Sequence, residues 1–332
     1  MMVDDHTFLK VIGANPDDDG PRLLYADFLE EKGDAASVAH AEFIRLQCAL
    51  AATAPGGNVV TLRQREKELL TAHWPTWLRP ACLAVGDALP DSLGKFWQLH
   101  WLSGRERHDH MLFRPGSLKM SYFAAAQFRR GFLAHVALWH KDSRGDRHVA
   151  RLWDRAPIDG LTLMDYSSPN LAKTIAAIDC GERLRSLEVG VTDERSVALV
   201  ASAPGLRGLR ELILKGVHGQ SDVAAALAGS ATLNSLELLI LESCPVGDDG
   251  IARLCRAPFA AGLERLELVK CGITNAGAIH LARYWPAPSR LRHLEVSENQ
   301  IRSGGMSNLQ DRFGDILKSS FGNRPWPTRF YL

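Results

Sequence analysis

The sequence lacks the local patterns by which many enzymes, membrane proteins and secreted proteins are recognised. The 332 residues contain no G-x-S-x-G, P-loop, H-E-x-x-H or dinucleotide-binding motif, so the usual groups that activate nucleophiles or cradle phosphates are absent as motifs. No run of about eighteen apolar residues predicts a membrane span. The N-terminus opens with acidic residues, whereas a secretory signal opens with basic ones. We therefore expect a cytoplasmic protein that is not an enzyme.

Neither the charge balance nor the cysteines point to a particular ligand. The chain has 39 basic and 38 acidic residues and a net charge of +1, so no overall field attracts nucleic acid or an anionic membrane. The six cysteines include no C-x-x-C pair and no close Cys/His set. We expect reduced thiols, several of them in the core, and we predict no cofactor and no metal site.

The most acidic stretch of the chain, residues 15–34, allows two interpretations. Asn15, Asp17 and Asp19 fall at positions one, three and five of a calcium-binding loop, but position twelve, where a bidentate Glu is needed, is Ala26. In the second interpretation the aspartates cap a helix, a proline occupies its first turn and Gly33 ends it. We favour the helix because it explains more of the residues.

A repeat of nearly constant period dominates the second half of the chain. The hexamer apolar-x-x-apolar-x-apolar returns every 25 to 28 residues, and its seven copies begin at Leu133, Ile158, Leu184, Leu209, Leu236, Leu263 and Leu291. A period of about 20 to 29 residues with this hexamer is typical of leucine-rich repeats, whose strands need their neighbours to bury an apolar side. The chain therefore resembles the leucine-rich-repeat family over about seven units.

The segments between the hexamers carry helix signals. Three of them, S-D-V-A-A-A-L-A-G, D-D-G-I-A-R-L-C-R-A-P and T-N-A-G-A-I-H-L-A-R-Y-W-P, begin with capping residues and end at Gly or Pro. Units of this length resemble the ribonuclease-inhibitor type, which implies an α/β solenoid with parallel strands inside and helices outside. The resemblance also implies that Cys244, Cys271 and Asn299 complete the turn after each strand and are structural.

The front of the chain reads as a small all-helical domain. The segments F-L-K-V-I-G-A-N-P-D-D-D-G-P-R-L-L-Y-A-D-F-L-E-E-K-G-D and A-E-F-I-R-L-Q-C-A-L resemble the repeat-companion domain of planctomycete bacteria, which precedes repeat arrays. F-R-R-G-F-L-A-H-V from Phe128 resembles the junction of that domain to its repeats. The resemblance implies no activity. We predict a helical companion domain at 1–80, an insertion at 81–127, the solenoid at 128–311 and a C-terminal cap and tail at 312–332.

The insertion carries two alternative functional hypotheses. His108 and His110 could bind a metal ion in a metal-dependent enzyme, but no third ligand follows at a useful spacing, and we favour a surface insertion anchored by its tryptophans. In the other hypothesis, the protein is a nucleic-acid-associated subunit of a larger complex. Its contacts would be Arg105, Arg107, Arg114, Lys119, Arg129 and Arg130.

Strand geometry identifies the surface that we expect to bind a partner. Alternate residues of each hexamer point away from the core onto the concave face of the sheet. Ile213, Leu238, Ile240 and Val269 are predicted to form an exposed apolar centre with a charged rim, as in many protein interfaces. Alternatively, the chain itself covers this centre. The predicted protein-binding residues are Glu211, Ile213, Lys215, Leu238, Ile240, Glu242, Arg265, Glu267, Val269, His293 and Glu295.

These observations together favour a non-enzymatic scaffold or recognition subunit that binds another protein. The acidic residues of the rim argue against a nucleic-acid backbone as the partner on this face. A membrane partner is not expected. The sequence identifies neither the partner protein nor the oligomeric state.

Overall fold

The structure is a computed structural model. It describes residues 4–53, 59–84, 98–103, 108–113, 123–139, 149–164, 168–178, 182–190, 194–216 and 222–318. Of these, residues 98–103, 108–113, 123–125, 139, 168–170, 177 and 194 are described through their backbone alone. The contacts divide the chain into two compact units. Among the described residues, unit 1 ends at Leu161 and unit 2 begins at Thr162, and each is described by itself.

Unit 1 begins with four helices, which confirms the prediction of a helical front. Their bounds are α1 Asp5–Ala14, α2 Gly20–Lys32, α3 Ala35–Ala52 and α4 Val60–Ala84. The Asp4 carboxylate caps α1 by accepting the Thr7 N–H at 2.9 Å, and the Asp34 carboxylate caps α3 by accepting the Ser37 N–H at 3.0 Å. Gly33 ends α2 with a φ of 73°. The acidic stretch thus forms the predicted helix, but the predicted cap differs: Asp19 at the N-cap of α2 forms no side-chain cap hydrogen bond, and Asp18 Oδ1 accepts the Gly20 N–H at 2.9 Å.

Four antiparallel strands follow in unit 1. They are β1 Gln98–Ser103, β2 His108–Phe113, β3 Phe123–Arg129 and β4 Phe132–Trp139, each paired with the next. The sequence predicts β4 as the strand of the first repeat but gives no signal for its antiparallel partner β3, because F-A-A-A-Q-F-R does not alternate apolar with polar residues. A 3₁₀ helix, Val149–Asp154, follows β4.

The hydrophobic core of unit 1 joins the helices to the hairpin formed by β3 and β4. One cluster of buried side chains contains residues of α1, α2 and α3 together with Phe132 of β4. Phe132 lies 5.7 Å from Tyr25 and 5.6 Å from His40, measured between ring centroids. Phe128, at the other side of the hairpin turn, lies 6.1 Å from Phe43. The hairpin is therefore part of the helical packing.

Unit 2 consists of strands and helices that alternate along the chain. The division between the units falls within β5, Gly160–Met164. The strands that follow are β6 Ser186–Gly190, β7 Glu211–Lys215, β8 Leu238–Glu242, β9 Arg265–Val269, β10 His293–Glu295 and β11 Leu317–Lys318. From β6 onwards each strand pairs with the next in parallel. The register places equivalent repeat positions side by side.

A helix follows each of the strands β5 to β10. These helices are α5 Ser168–Ala177, α6 Glu194–Ser202, α7 Val223–Ala228, α8 Gly247–Leu254, α9 Asn275–Tyr284 and α10 Ser303–Phe313. The second and fourth residues of the strands, such as Leu239 and Leu241, have no exposed surface and form the core. The predicted α/β solenoid is confirmed. None of the helices that the structure describes has the length and apolar character needed to cross a membrane.

The end of the array extends beyond the last predicted repeat. Helix α10 continues to Phe313, and Leu317 of the two-residue strand β11 pairs with Leu294 of β10. No hexamer predicts this strand, because two residues are too few to show an alternating pattern. The predicted domain boundaries at residues 80, 127 and 311 stay predictions.

The turns after strands β8, β9 and β10 are each closed by one small side chain, as the repeat pattern predicts. The Cys244 thiol lies 3.5 Å from the Leu214 carbonyl oxygen, and the Cys271 thiol lies 3.2 Å from that of Leu241. In the next turn the Asn299 amide donates to the Leu268 carbonyl at 2.6 Å. These three residues bond to the backbone of the preceding repeat and have the predicted structural role.

One backbone conformation precedes the closing position in consecutive repeats. Gly216, Ser243, Lys270 and Glu298 directly follow Lys215, Glu242, Val269 and Ser297, and they have φ values of 67°, 53°, 53° and 57°. Glycine adopts this left-handed region freely, whereas other residues pay a steric penalty of about 1 to 2 kcal/mol. The repeats therefore share a turn that three of these four side chains disfavour.

Candidate interaction surface on the repeat strands

The face of the unit 2 sheet that points away from the core consists of the side chains at the first, third and fifth positions of the strands, and we call it the concave face. We name them the first, middle and third columns. The first column runs Ser186, Glu211, Leu238, Arg265, His293, and the middle column runs Glu188, Ile213, Ile240, Glu267, Glu295. The third column runs Gly190, Lys215, Glu242, Val269 and continues to Ser297. All carry equivalent positions of successive repeats.

The middle column is largely buried, which corrects the predicted exposed apolar centre. Ile213 is 4% exposed, Ile240 7% and Val269, in the third column, 2%. Glu267, predicted for the charged rim, has no exposed surface. Strands about 4.8 Å apart place equivalent side chains in contact, and longer side chains of the flanking columns lie beside the middle one. A side chain on the face of the sheet that points away from the core is therefore not necessarily exposed to solvent.

The remaining seven predicted binding residues keep part of their surface exposed. They are Glu211, Lys215, Leu238, Glu242, Arg265, His293 and Glu295. Leu238 is the apolar member of this set, and its in-register neighbours are Glu211 on β7 and Arg265 on β9. Along the first column, the partly exposed side chains therefore change from acidic (Glu211) to apolar (Leu238) to basic (Arg265). The hypothesis that another segment of the chain covers the apolar centre stays a prediction.

Two buried carboxylates of the middle column are paired with cations from the flanking columns. Lys215 Nζ lies 2.7 Å from Glu188 Oε1. Arg265 Nε donates to Glu267 Oε1 at 2.7 Å. A buried carboxylate is costly unless it is paired, so these contacts hold Lys215 and Arg265 in fixed positions over the sheet. The charged side chains of the face are therefore ordered by ion pairs.

A group of potential metal ligands, missed by the sequence reasoning, lies on the last two full strands. His293 Nε2 is 3.7 Å from Glu267 Oε1 and 3.9 Å from Glu295 Oε2. One potential ligand atom from each of the three side chains lies within 4.8 Å of the others. The signal was available, since R-L-E at Arg265 and H-L-E at His293 occupy equivalent repeat positions.

The arginines proposed for nucleic-acid binding are only partly described. Arg105, Arg107, Arg114 and Lys119 lie outside the described residues. Arg129 forms an ion pair with Asp159. Arg130 Nη1 donates to the Asp17 carbonyl at 2.7 Å and to Asp19 Oδ1 at 3.0 Å. Both described arginines are thus engaged within unit 1, as is Asp19 from the calcium-loop hypothesis.

Three of the described cysteines are poorly suited to nucleophilic chemistry. Burial raises the pKa of the Cys48 thiol to about 12 and that of Cys255 to about 11, and it raises the pKa of Cys271 as well. A thiol with a raised pKa supplies little thiolate at neutral pH. The side chains of His108 and His110, both on β2, lie outside the described residues, so their metal hypothesis stays untested.

Comparison with known proteins identifies the repeat. Residues 289–309, which include β10 and the start of α10, match a family model described as Leucine Rich repeat. The match supports leucine-rich repeats as the units of the solenoid. The companion-domain resemblance of the helical front stays a prediction.

Two curated relatives share short regions with this chain. It is 37% identical over 79 residues to the NACHT, LRR and PYD domains-containing protein 14 of Homo sapiens, which covers 23% of this chain and 7% of that protein. It is 29% identical over 96 residues to the centrosomal protein of 78 kDa of Mus musculus, covering 28% of this chain and 12% of that protein. The chain therefore matches only a small part of each relative's length.

Proposed function

We propose that this protein is a non-enzymatic interaction scaffold or recognition subunit that binds another protein on the concave face of its leucine-rich repeats. The observation that carries the proposal is the first column of side chains. Glu211, Leu238, Arg265 and His293 are all partly exposed and lie in register on four adjacent strands. An acidic, an apolar, a basic and an imidazole group thus stand in one row.

The rigidity of this row supports a binding role. Parallel pairing fixes the spacing of the four backbones, and the ion pair between Arg265 and Glu267 restrains the longest of the side chains. A preordered surface loses less conformational entropy on association than a flexible one. Leu238 supplies an apolar contact, while the charged neighbours favour a partner with complementary groups of both signs. A protein surface has this mixed chemistry, whereas a nucleic-acid backbone presents only negative charge.

The test compares two apolar-to-charged substitutions on opposite sides of unit 2. Leu238→Glu changes the concave face, and the control, Ile279→Glu, changes a residue of α9 that is 43% exposed. Each tagged full-length variant, checked by circular dichroism, is used to capture partners from the native host beside the wild type. We expect Leu238→Glu to capture at least tenfold less of the partner than the wild type does. Ile279→Glu should capture the same amount as the wild type.

Two outcomes would contradict the proposal. If the partner is retained by both folded variants, the first column is not the binding surface. If it is lost only by Ile279→Glu, the partner binds the helical side. A captured partner counts only after the same comparison has been repeated with the two purified proteins.

A further inference from the structure

We propose that Glu267, His293 and Glu295 form a binding site for one divalent transition-metal ion, with Zn²⁺ as the best match. Glu267 on β9 and Glu295 on β10 are directly paired neighbours in the parallel sheet. His293 precedes Glu295 by two residues and therefore points to the same face. The proposal is independent of protein binding, because it rests on one group of ligands within this chain.

Two buried polar atoms in this group have no hydrogen-bond partner among the described residues. Glu267 is fully buried, and only one of its carboxylate oxygens, Oε1, accepts a hydrogen bond, from Arg265. The second oxygen, Oε2, has none, and neither does His293 Nε2. Leaving a buried polar atom unsatisfied costs about 1 to 3 kcal/mol, and more for a charged one. A metal ion bound between them would satisfy both.

The charges of the two strands favour a cation at the same point. Two glutamates directly opposite each other on neighbouring strands repel one another. Arg265 binds Glu267 Oε1, and Lys318, whose backbone pairs with Glu295, donates from Nζ to the Asp315 carbonyl at 2.9 Å. A divalent ion between the two carboxylates would offset this repulsion.

The distances require only a small contraction of the group. Ligand atoms at about 2.0 to 2.1 Å from a tetrahedral zinc ion are about 3.3 Å from one another. The ligand atoms here lie within 4.8 Å of one another. His293 Nε2 is 3.7 Å from Glu267 Oε1, which belongs to the same carboxylate as the unpartnered Oε2, and 3.9 Å from Glu295 Oε2. The side chains of His293 and Glu295 are 26% and 13% exposed, so they have room to rotate. Water would supply the fourth ligand.

Neighbouring side chains orient the two carboxylates in the way that outer ligands do in metal sites. Arg265 holds Oε1 of Glu267. The Ser297 hydroxyl donates to Oε1 of Glu295 at 2.8 Å. Such partners fix the rotamer of a ligand and contribute to metal affinity. The positive charge of Arg265 lowers the metal affinity, while its hydrogen bond to Oε1 leaves Oε2 of the same carboxylate without a partner.

The donor set selects the class of metal. One imidazole nitrogen and two carboxylates suit Zn²⁺ and the neighbouring ions Co²⁺, Ni²⁺ and Mn²⁺. Ca²⁺ and Mg²⁺ prefer oxygen ligands alone, in larger number or in octahedral arrangement. We therefore expect Zn²⁺ to bind and Ca²⁺ to compete poorly.

The test measures Zn²⁺ binding to the full-length chain after treatment with a chelator. Calorimetric titration at neutral pH compares the wild type with His293→Gln and Glu295→Gln, which alter the more exposed ligands and spare the buried Glu267. We expect each variant to lose one Zn²⁺ site or to bind it roughly a hundredfold more weakly. Co²⁺ in place of Zn²⁺ should give a visible absorption spectrum that the variants lack.

Two control variants separate this site from adventitious binding. Glu242→Gln removes a carboxylate elsewhere on the concave face, and the double change His108→Gln, His110→Gln removes the H-x-H segment; both should keep the site. Zn²⁺ should also raise the melting temperature of the wild type more than that of His293→Gln. The proposal is overturned if His293→Gln and Glu295→Gln bind the same number of Zn²⁺ ions with wild-type affinity, or if the wild type binds none.

Discussion

The backbone N–H of Gly131 donates a hydrogen bond of 2.6 Å to the side-chain oxygen of Gln47. The nitrogen of the same Gln47 side chain donates to Glu66 Oε1 at 2.7 Å, and Arg63 donates to the other oxygen of Glu66 at 2.9 Å. This chain of buried hydrogen bonds joins the turn between β3 and β4 to helices α3 and α4. The F-R-R-G-F segment is therefore built into the interior of unit 1.

Replacing Gly131 should test how tightly this turn is packed. Its φ is 86°, and a Cβ atom there would lie only 2.6 Å from the Ile44 Cα atom. We expect Gly131→Ala to lower the free energy of unfolding by about 3 kcal/mol or more, since the backbone must shift. Gly33→Ala is the control: its φ is 73° but nothing lies within 4 Å of the added Cβ. It should cost only about 1 kcal/mol. Equal losses in urea unfolding would contradict this account.

The His40 side chain should make unit 1 less stable in mild acid. Its Nε2–H donates to the Gly131 carbonyl at 2.9 Å and its ring stacks on Trp77. Burial lowers the pKa of His40 from 6.5 to about 4. The unfolded chain therefore binds the proton first, and the contribution of His40, present above pH 6.5, is lost as the pH falls from 6.5 to 4.

The expected loss is on the order of 2 kcal/mol, somewhat below the full linkage value because the ring is partly exposed. Urea unfolding of the wild type and of His40→Gln at several pH values measures it. The variant keeps a donor for Gly131 and should show a shallower dependence on pH. Parallel curves for the two proteins would show that His40 is not the group responsible.

The strands of unit 2 could be predicted from the sequence because their signal is local. Each hexamer places its leucines at core positions, and every predicted copy from Ile158 to Leu291 overlaps or directly precedes an observed strand. The contacts of Gly131 with Gln47 and His40 join residues more than eighty positions apart. No periodicity encodes such contacts, so the sequence could not reveal them.

Asn299 should be more important for stability than its position in a turn suggests. Its side-chain oxygen accepts the N–H groups of Cys271 at 2.9 Å and Ile273 at 3.2 Å, and its nitrogen donates to Leu268. Asn299→Ala leaves these backbone groups unsatisfied and should cost about 2 to 3 kcal/mol in urea unfolding. Asn308→Ala removes an exposed bond to the Gly304 carbonyl and should cost less than about 0.5 kcal/mol. Similar losses of stability in the two variants would mean that the hydrogen bonds of Asn299 to the preceding repeat do not stabilise the array.

Because the middle column is buried, the same substitution should affect stability differently at Ile240 and at Leu238. Ile240 is 7% exposed, and its in-register neighbour on β9 is the buried Glu267. Ile240→Glu would bury a second carboxylate beside the first and should cost about 3 kcal/mol or more. Leu238→Glu, on a partly exposed residue, should cost about 1 kcal/mol or less. Thermal or urea unfolding of both variants distinguishes them, and an equally mild effect would mean that the middle column is accessible.

The candidate surface could be predicted only in part, for a geometric reason. Alternation correctly assigned Leu238 and Ile240 to the non-core face, but it contains no information about the neighbours that enclose a side chain. Exposure depends on the spacing of adjacent strands and on the rotamers of residues such as Lys215 and Arg265. The approach of His293 to Glu267 likewise depends on the register between two strands, which is set by the whole repeat.

The left-handed backbone conformation that recurs after the strands identifies positions at which glycine would make the protein more stable. Because the backbone conformation recurs and the side chain does not, this position carries a hydrogen atom, a hydroxyl, an ammonium and a carboxylate in Gly216, Ser243, Lys270 and Glu298. Lys270→Gly should therefore raise the free energy of unfolding by about 0.5 to 1 kcal/mol, whereas Lys270→Ala should not. A thermal-shift comparison of the two variants measures this directly. The chain has glycine at only one of these four positions. The side chain at this turn can therefore differ from repeat to repeat while the backbone keeps the same path.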